Sequence, residues 1–237
     1  MKKSTVCCLL LLFLLIPATL YLGICLPGRW HYLTSTLIIL ETMVPFFLAF
    51  EHRKPQAREL VTIAVMASLA VAARVAVVIP DFKPTTAIIM ITGIAFGPEA
   101  GFMTGAISAF ASNFFFSQGP WTPWQMMAYG FGGFLAGLIF HKKQKHNPVL
   151  LSIFGFVTIL LCVGPLLDLC TLFTVSTKIT WKRALAVLAA GLPANIKHSF
   201  TCAATMLLFS KPLLYKLNRL KVKYGMLDLR QQSDEAP

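Results

Sequence analysis

Apolar runs as long as a membrane-spanning helix recur along the whole chain, and they restrict the fold more than any other feature. Crossing the roughly 30 Å hydrocarbon core of a bilayer takes about 20 apolar residues in a helix. Of the 237 residues, 57% are hydrophobic and only 13% are charged, which excludes an ordinary soluble domain. The sequence therefore predicts an all-α, polytopic integral membrane protein with about eight spans. The apolar runs are Val6–Leu26, Tyr32–Phe50, Leu60–Ile79, Ala87–Phe96, Gly101–Phe116, Trp124–Phe140, Val149–Phe173 and Ala184–Phe209.

One short run, Ala87–Phe96, is separated from the next run only by the pentapeptide Gly97–Gly101. This pentapeptide is either a tight turn between two spans or a kink in one longer helix. Lys and Arg are enriched in the short cytoplasmic connections of membrane proteins. A turn places the lysines of residues 142–145 in the cytoplasm together with both termini, whereas a kink places them outside. We therefore predict a turn, with Trp121 and Lys178 facing outward.

The basic residues lie at the ends of apolar runs and give the chain a formal net charge of +12. This arrangement indicates contact with the anionic head groups of the lipid bilayer, and we expect no nucleic acid partner. Lys2 and Lys3 precede the first run as in a signal peptide, but no small-x-small cleavage site follows, which favours a retained helix. The six cysteines show neither CxxC nor metal-ligand spacing, so we expect no metal site.

Polar residues inside spans are costly, which makes each of them a candidate functional residue. Arg74 lies in the outer part of the third run, and Asp81 lies in the connection that follows. Arg74 either binds a ligand or forms a structural contact, in which it pairs with Asp81 or reaches the lipid head groups. On the eighth run, Asn195 and His198 share one helix face, while Lys197 points elsewhere. This pair either contributes to a site or bonds to other helices.

Aromatic and amide side chains cluster at the outer connection between the fifth and sixth runs. Tryptophans at this depth ordinarily belong to an interfacial aromatic belt. Here they stand with amides and two prolines in one stiff turn, a combination that suits a large organic ligand. With Arg74, Asn195 and His198, this region makes up the predicted substrate site. Its candidate substrate-binding residues are Asn113, Gln118, Trp121, Trp124, Gln125 and Tyr129.

A stripe of small residues, Ala64, Ser68 and Ala72, runs along the third predicted helix. The i, i+4, i+8 spacing places them on one face, well away from Arg74. Stripes of this kind let helices approach one another closely in lipid. The stripe either packs inside the chain or serves as a docking face for another subunit.

The common sequence motifs of enzymes are absent. The chain holds no G-x-x-x-x-G-K-[ST] phosphate loop, no H-E-x-x-H and no G-x-S-x-G. An integral-membrane enzyme using His198 with Asp81 or Glu99 is an alternative, but the predicted topology places these residues at different depths. We therefore expect no catalytic residue and no cofactor, and any ATP hydrolysis would come from a partner.

Several stretches of the chain are similar to the substrate-binding S components of energy-coupling factor (ECF) vitamin transporters. The similarity lies in the small-residue helix, in the segment Phe96–Met126 with its GPWTPWQ motif, and in two later segments, Gly191–Phe200 and Lys211–Gly225. It covers most of the chain from Leu60 onward and is strongest to the cobalamin-type branch. The two helices before Leu60 and the lysine at position 197 depart from the family pattern.

The resemblance implies a six-helix core that captures a vitamin on the outer side and docks on a transmembrane coupling subunit with two ATPase subunits. The family's docking motif corresponds to Ala64, Ser68 and Ala72. On this basis residues 1–58 form two extra transmembrane helices, residues 59–212 the core, and residues 213–237 a basic cytoplasmic tail. We expect a multi-pass protein of the bacterial plasma membrane that takes cobalamin or a related corrinoid, with a different micronutrient as the alternative.

Overall fold

The computed structural model describes residues 15, 18, 19, 21, 30–53, 55–77, 82–143, 146–175 and 179–225. Helices make up nearly all of these residues and no strand occurs among them, which confirms the predicted all-α class. The first predicted span, Val6–Leu26, falls almost entirely outside the described residues, and Asp81 and Lys178 lie outside them too. The helices are α1 (Trp30–His52), α2 (Ala57–Ala76), α3 (Thr85–Phe96), α4 (Pro98–Phe116), α5 (Thr122–Phe140), α6 (Pro148–Thr158), α7 (Gly164–Val175) and α8 (Trp181–Lys223).

Three helical stretches are long and apolar enough to cross a membrane: Leu33–His52, Ala57–Ala76 and Pro148–Val175. The last of these consists of α6 and α7, which a π-helical turn at Ile159–Val163 joins without a break. Each stretch has the roughly 20 residues that the hydrocarbon core of a bilayer requires. Together with the shorter apolar helices, they confirm a polytopic membrane protein.

Helix α3 lies at the centre of the bundle. All 12 of its residues are buried, and α2, α4, α5 and α8 pack around it. Its hydroxyl groups bond within the protein, since Thr85 donates to the carbonyl of Ala70 at 3.1 Å and Thr92 to that of Ile88 at 2.9 Å. The short apolar run is therefore a helix surrounded by other helices of the bundle.

The chain folds back between α3 and α4 at Gly97. Gly97 has a φ of +102°, a conformation that residues with a side chain rarely adopt. A Cβ atom at Gly101 would lie only 2.7 Å from the Cα of Gly93, so the two helices lie side by side. α4 begins directly at Pro98, in the first-turn position that suits proline. The predicted turn is confirmed, but it takes one residue instead of five.

Helix α5 approaches this hairpin through Gly133. A Cβ atom at Gly133 would lie 2.7 Å from the carbonyl carbon of Gly101. Conversely, a Cβ atom at Gly101 would lie 2.6 Å from the carbonyl carbon of Gly133. Both distances are shorter than side-chain carbons tolerate. The backbones of α4 and α5 therefore touch, as small residues allow for helices in lipid.

Helix α1 packs against α4 and α5 and shares a hydrophobic cluster with them. Phe46 of α1 stacks on Phe102 of α4 at a centroid distance of 4.2 Å and meets Phe134 of α5 edge to face at 5.0 Å. Ile39 and Met43 are buried in the same cluster. The helix that precedes the predicted core therefore has a structural role in it.

Three side chains from three different segments cap the C-terminal carbonyls of α3. The last carbonyls of a helix lack intrahelical partners and carry partial negative charge, so basic side chains stabilise them. The caps tie the ends of α1, α5 and α8 to the central helix. The pairs are Arg53 Nη1 with Phe96 O at 2.8 Å, His141 Nδ1 with Ile94 O at 3.0 Å, and Lys221 Nζ with Ala95 O at 2.8 Å.

Helix α8 is longer than the apolar run that predicted it. The run ends at Phe209, but the helix has 43 residues and continues to Lys223. Lys, Arg and Leu are good helix formers, and Leu214 and Leu217 are buried against the bundle. The boundary that we placed before residue 213 falls inside this continuous helix.

Candidate functional site

Arg74 is buried near the C-terminal end of α2 and donates hydrogen bonds to polar groups of α4 and α5. Its Nη1 donates to Ser112 Oγ and, at 3.0 Å, to Asn113 Oδ1. Its Nη2 donates to the side-chain oxygen of Gln125 at 3.4 Å. Among the described residues these hydrogen-bond partners are neutral, so the guanidinium is enclosed by amide and hydroxyl groups.

A network of amides and hydroxyls extends from there into the connection between α4 and α5. Asn113 Nδ2 donates to Gln125 Oε1 at 2.8 Å and to Thr122 Oγ1 at 3.0 Å. Thr122 donates to Gln118 Oε1 at 2.9 Å, and Gln118 donates to the carbonyl of Phe110 at 2.9 Å. These bonds hold the connection against the end of α4.

Tyr129 of α5 links this network to α8. Its ring lies 5.7 Å from the guanidinium carbon of Arg74 and meets the ring of His198 edge to face at 6.3 Å. His198 Nε2 in turn lies 3.1 Å from Thr86 Oγ1 on α3. The ring of Phe116 faces the same guanidinium at 5.1 Å. Aromatic surfaces and polar groups therefore alternate between α2, α4, α5 and α8.

A second polar pair joins α7 to α8. Asn195 donates to Asp168 Oδ2 at 2.7 Å. The helices meet closely here, because a Cβ atom at Gly191 would lie 2.5 Å from Asp168 Cγ and one at Gly164 would lie 2.5 Å from Asn195 Cγ. The π-helical turn at Ile159–Val163 precedes this contact, and such turns are frequent at functional sites because they redirect the side chains that follow.

The two tryptophans of the α4–α5 connection differ in their surroundings. Trp124 is buried and stacks on Phe173 of α7 at a centroid distance of 5.7 Å. Trp121 is 38% exposed. Trp124 therefore lies inside the bundle, whereas the exposure of Trp121 is that of an interfacial residue.

The segment that holds this site matches a known family. Residues 54–215 match the model of the ECF-type riboflavin transporter S component, which is well over half of the chain. The chain belongs to this family. The match confirms the predicted S component, a transporter subunit and not an enzyme, which works with an energy-coupling module and a vitamin substrate. Neither the curated proteins nor the solved structures give a match.

The family model names riboflavin, whereas the sequence resemblance pointed to the cobalamin-type branch of S components. The corrinoid remains a prediction without support from this match. The matched segment begins after α1 and includes every residue of the networks described above, from Arg74 to His198.

Most of the predicted site residues of this S component lie in one continuous network. Asn195 stands one helical turn from His198 in α8 and bonds to α7 instead of α5. Trp124 contacts α7, and Trp121 stays at the surface. The residues of the continuous network are Arg74, Asn113, Gln118, Gln125, Tyr129 and His198.

The contact residues that were not predicted include Thr86, Phe116, Asp168 and Phe173. Asp168 did carry a signal, since a carboxylate inside an apolar run is itself a candidate functional group. The other three are ordinary residues of apolar helices, and nothing in the sequence marks them.

The small-residue stripe of the S component lies open on the surface. Ala64, Ser68 and Ala72 are exposed and line an apolar groove of about 490 Å³ between α2 and α4. Ser68 Oγ donates to the carbonyl of Ala64 at 2.9 Å, so the groove presents no unsatisfied hydroxyl. Arg74 does not line this groove, as predicted. An uncovered groove of this kind is what a docking face requires.

Proposed function

We propose that this S component binds a flavin, riboflavin or a close derivative, between α2, α4, α5 and α8. It then docks on an ECF module, which drives import of the flavin across the bacterial plasma membrane. The main support is that the polar and aromatic network lies wholly within the segment that matches the riboflavin family model. A second support is its composition, which suits a flat and partly polar ligand.

The side chains of the network match the chemistry of a flavin. A flavin has a flat three-ring system with carbonyl and N–H groups at one end and a chain of hydroxyls at the other. Tyr129 and Phe116 offer ring surfaces, and the amides of Asn113, Gln125 and Asn195 offer both donors and acceptors. Sites for organic ligands combine such apolar surfaces with a few fixed polar groups.

The Nε donor of Arg74 is available to a ligand. Its Nε is buried and has no hydrogen-bond partner within the described residues. A buried donor without a partner costs about 1–3 kcal/mol. A flavin carbonyl that accepts from Nε removes this cost, which favours a ligand placed beside Arg74.

The S component purified in detergent is expected to bind one flavin per chain and to quench its fluorescence, because the rings stack on aromatic side chains. Titration of riboflavin fluorescence measures the affinity, and mass spectrometry identifies any ligand released from the purified protein. Cyanocobalamin in large excess should leave the bound flavin in place. Binding of cyanocobalamin without binding of riboflavin would instead support the corrinoid, and binding of neither would support a different micronutrient.

We also propose that the open stripe Ala64, Ser68 and Ala72 docks on the transmembrane coupling subunit. Ser68→Trp fills the groove and is expected to abolish assembly with the module and transport, because close helix approach depends on small side chains. Flavin binding by the isolated variant should be unchanged, since Arg74 lies on another face of α2.

Val65→Trp is the matched control, because Val65 is exposed on the same helix but does not line the groove. Uptake of labelled riboflavin by cells and co-purification of the ATPase subunits are the two measurements. Normal uptake by Ser68→Trp, or an equal loss in both variants, contradicts docking through this stripe.

A further inference from the structure

A second apolar groove, of about 330 Å³, opens between α3 and the C-terminal half of α8. It shares no lining residue with the groove of the small-residue stripe. Ile88 and Ile91 of α3 form one wall, and Phe209 and Leu213 of α8 form the other. Lys216 brings a positive charge to the lining of an otherwise apolar groove.

The α8 side of this groove continues into a basic stripe. Thr205, Phe209 and Pro212 line the groove, and Lys216, Arg219 and Lys223 follow at the same alternating spacing of four and three residues. Residues at that spacing share one face of a helix. The face is therefore apolar up to residue 213 and basic from residue 216 onward.

The cations of this stripe are available to a ligand. Lys216 and Arg219 are exposed, and neither forms an ion pair with another described residue. The distance along the helix from Phe209 to Arg219 is about 15 Å. The apolar groove and the two exposed cations therefore lie one after the other along the same face of α8. Together they extend over roughly the length of half a lipid acyl chain and its head group.

We propose that this face of α8 binds an anionic phospholipid of the leaflet that meets the C-terminal end of the helix. One acyl chain lies in the groove between α3 and α8, and the phosphate contacts Lys216 and Arg219. A lipid fits better than a protein segment because the change from apolar to basic along one helix face matches the change from hydrocarbon to head group in a bilayer.

The head-group charge gives the site its selectivity. A Lys or Arg at the membrane surface favours anionic lipid by about fivefold in affinity for each charge. The double variant Lys216→Gln/Arg219→Gln is therefore expected to bind phosphatidylglycerol about 25-fold more weakly. Binding of phosphatidylcholine, which carries no net charge, should change little.

Native mass spectrometry of the full-length protein in detergent counts bound lipid during titration with phosphatidylglycerol, phosphatidylcholine or glycerol 3-phosphate. The last probe has the phosphate without the acyl chain and should not bind. The matched control is Lys182→Gln/Arg183→Gln, which removes two exposed charges from the opposite end of α8. Equal affinity for phosphatidylglycerol and phosphatidylcholine, or equal losses in the two double variants, overturns the proposal.

A second variant tests the groove itself. Leu69 lines the groove from α2 and is 44% exposed. Leu69→Trp is therefore expected to fill the groove and to lower the affinity for phosphatidylglycerol at least several-fold. Val65→Trp, one turn away and outside the lining, should not. If Leu69→Trp leaves the lipid count unchanged but prevents assembly with the ECF module, the groove is a protein interface and the lipid site is excluded.

Discussion

The variant Gly133→Ala is expected to lose about 3 kcal/mol of unfolding free energy, and little folded protein should be recovered. A methyl group at this position would lie 2.7 Å from the carbonyl carbon of Gly101 and 2.7 Å from Ile89 Cγ2. The first of these obstacles is backbone, which cannot rotate away as a side chain can. Helices α4 and α5 would have to separate, and the contacts between them would be lost along their length.

Gly132→Ala is the matched control, because the neighbouring glycine faces only side chains. Its new methyl group would lie 3.3 Å from Val163 Cγ2 and 3.4 Å from Met90 Cε, and both can move by a few tenths of an ångström. Alanine also gains up to about 1 kcal/mol over glycine in a helix interior. Thermal unfolding in detergent, followed by circular dichroism, compares the variants. Similar midpoints for the two would contradict a backbone contact at Gly133.

Arg74→Met is expected to weaken riboflavin binding at least about 100-fold, which corresponds to about 2.7 kcal/mol. A hydrogen bond from a charged donor contributes about 1.5–3 kcal/mol, and the change removes the bonds to Ser112, Asn113 and Gln125 together. It also removes the buried Nε that we assign to the ligand. Arg74→Lys keeps the charge but not the planar donor geometry. Its affinity for riboflavin should therefore lie between those of the unmodified protein and Arg74→Met.

A structural role for Arg74 predicts a different result. In that case Arg74→Met lowers the unfolding midpoint of the free protein, while added riboflavin raises it by as much as in the unmodified protein. Under our proposal the shift caused by riboflavin is much smaller in Arg74→Met than in the unmodified protein. Arg58→Met is the control, since Arg58 lies in the first turn of the same helix, is exposed and donates to the carbonyl of Tyr224. It should bind riboflavin normally.

Hydropathy and charge were sufficient to predict the helices that the structure describes from Trp30 onward, because lipid imposes a fixed length and polarity on each span. The break at Gly97 was predictable for the same reason. The end of α8 was not predictable, because hydropathy marks only the part of a helix that lies in the membrane, and a helix can continue beyond it. Beyond Phe209 the residues are basic but still favour a helix, and buried leucines continue the packing to Lys223.

The site was predictable in part. Arg74, Asn113 and Gln125 were grouped because topology places them at the same depth, and depth is readable from the order of spans. Close contacts, such as that of Gly164 with Asn195, decide which helices pack against each other. These contacts depend on all the helices that surround a residue, which the sequence alone does not show. Asn195 was therefore placed with His198, while its hydrogen bond goes to Asp168.

The central position of α3 has a consequence for how the protein is made in the cell. Its 12 residues extend about 18 Å, too little to cross a bilayer alone, so the insertion machinery cannot release this segment into lipid as an independent span. The carbonyl of Ala95 accepts a hydrogen bond from Lys221, which lies in the last turn of α8. A nascent chain therefore keeps an unfinished core until the C-terminal part of α8 has been synthesised and has packed beside α3.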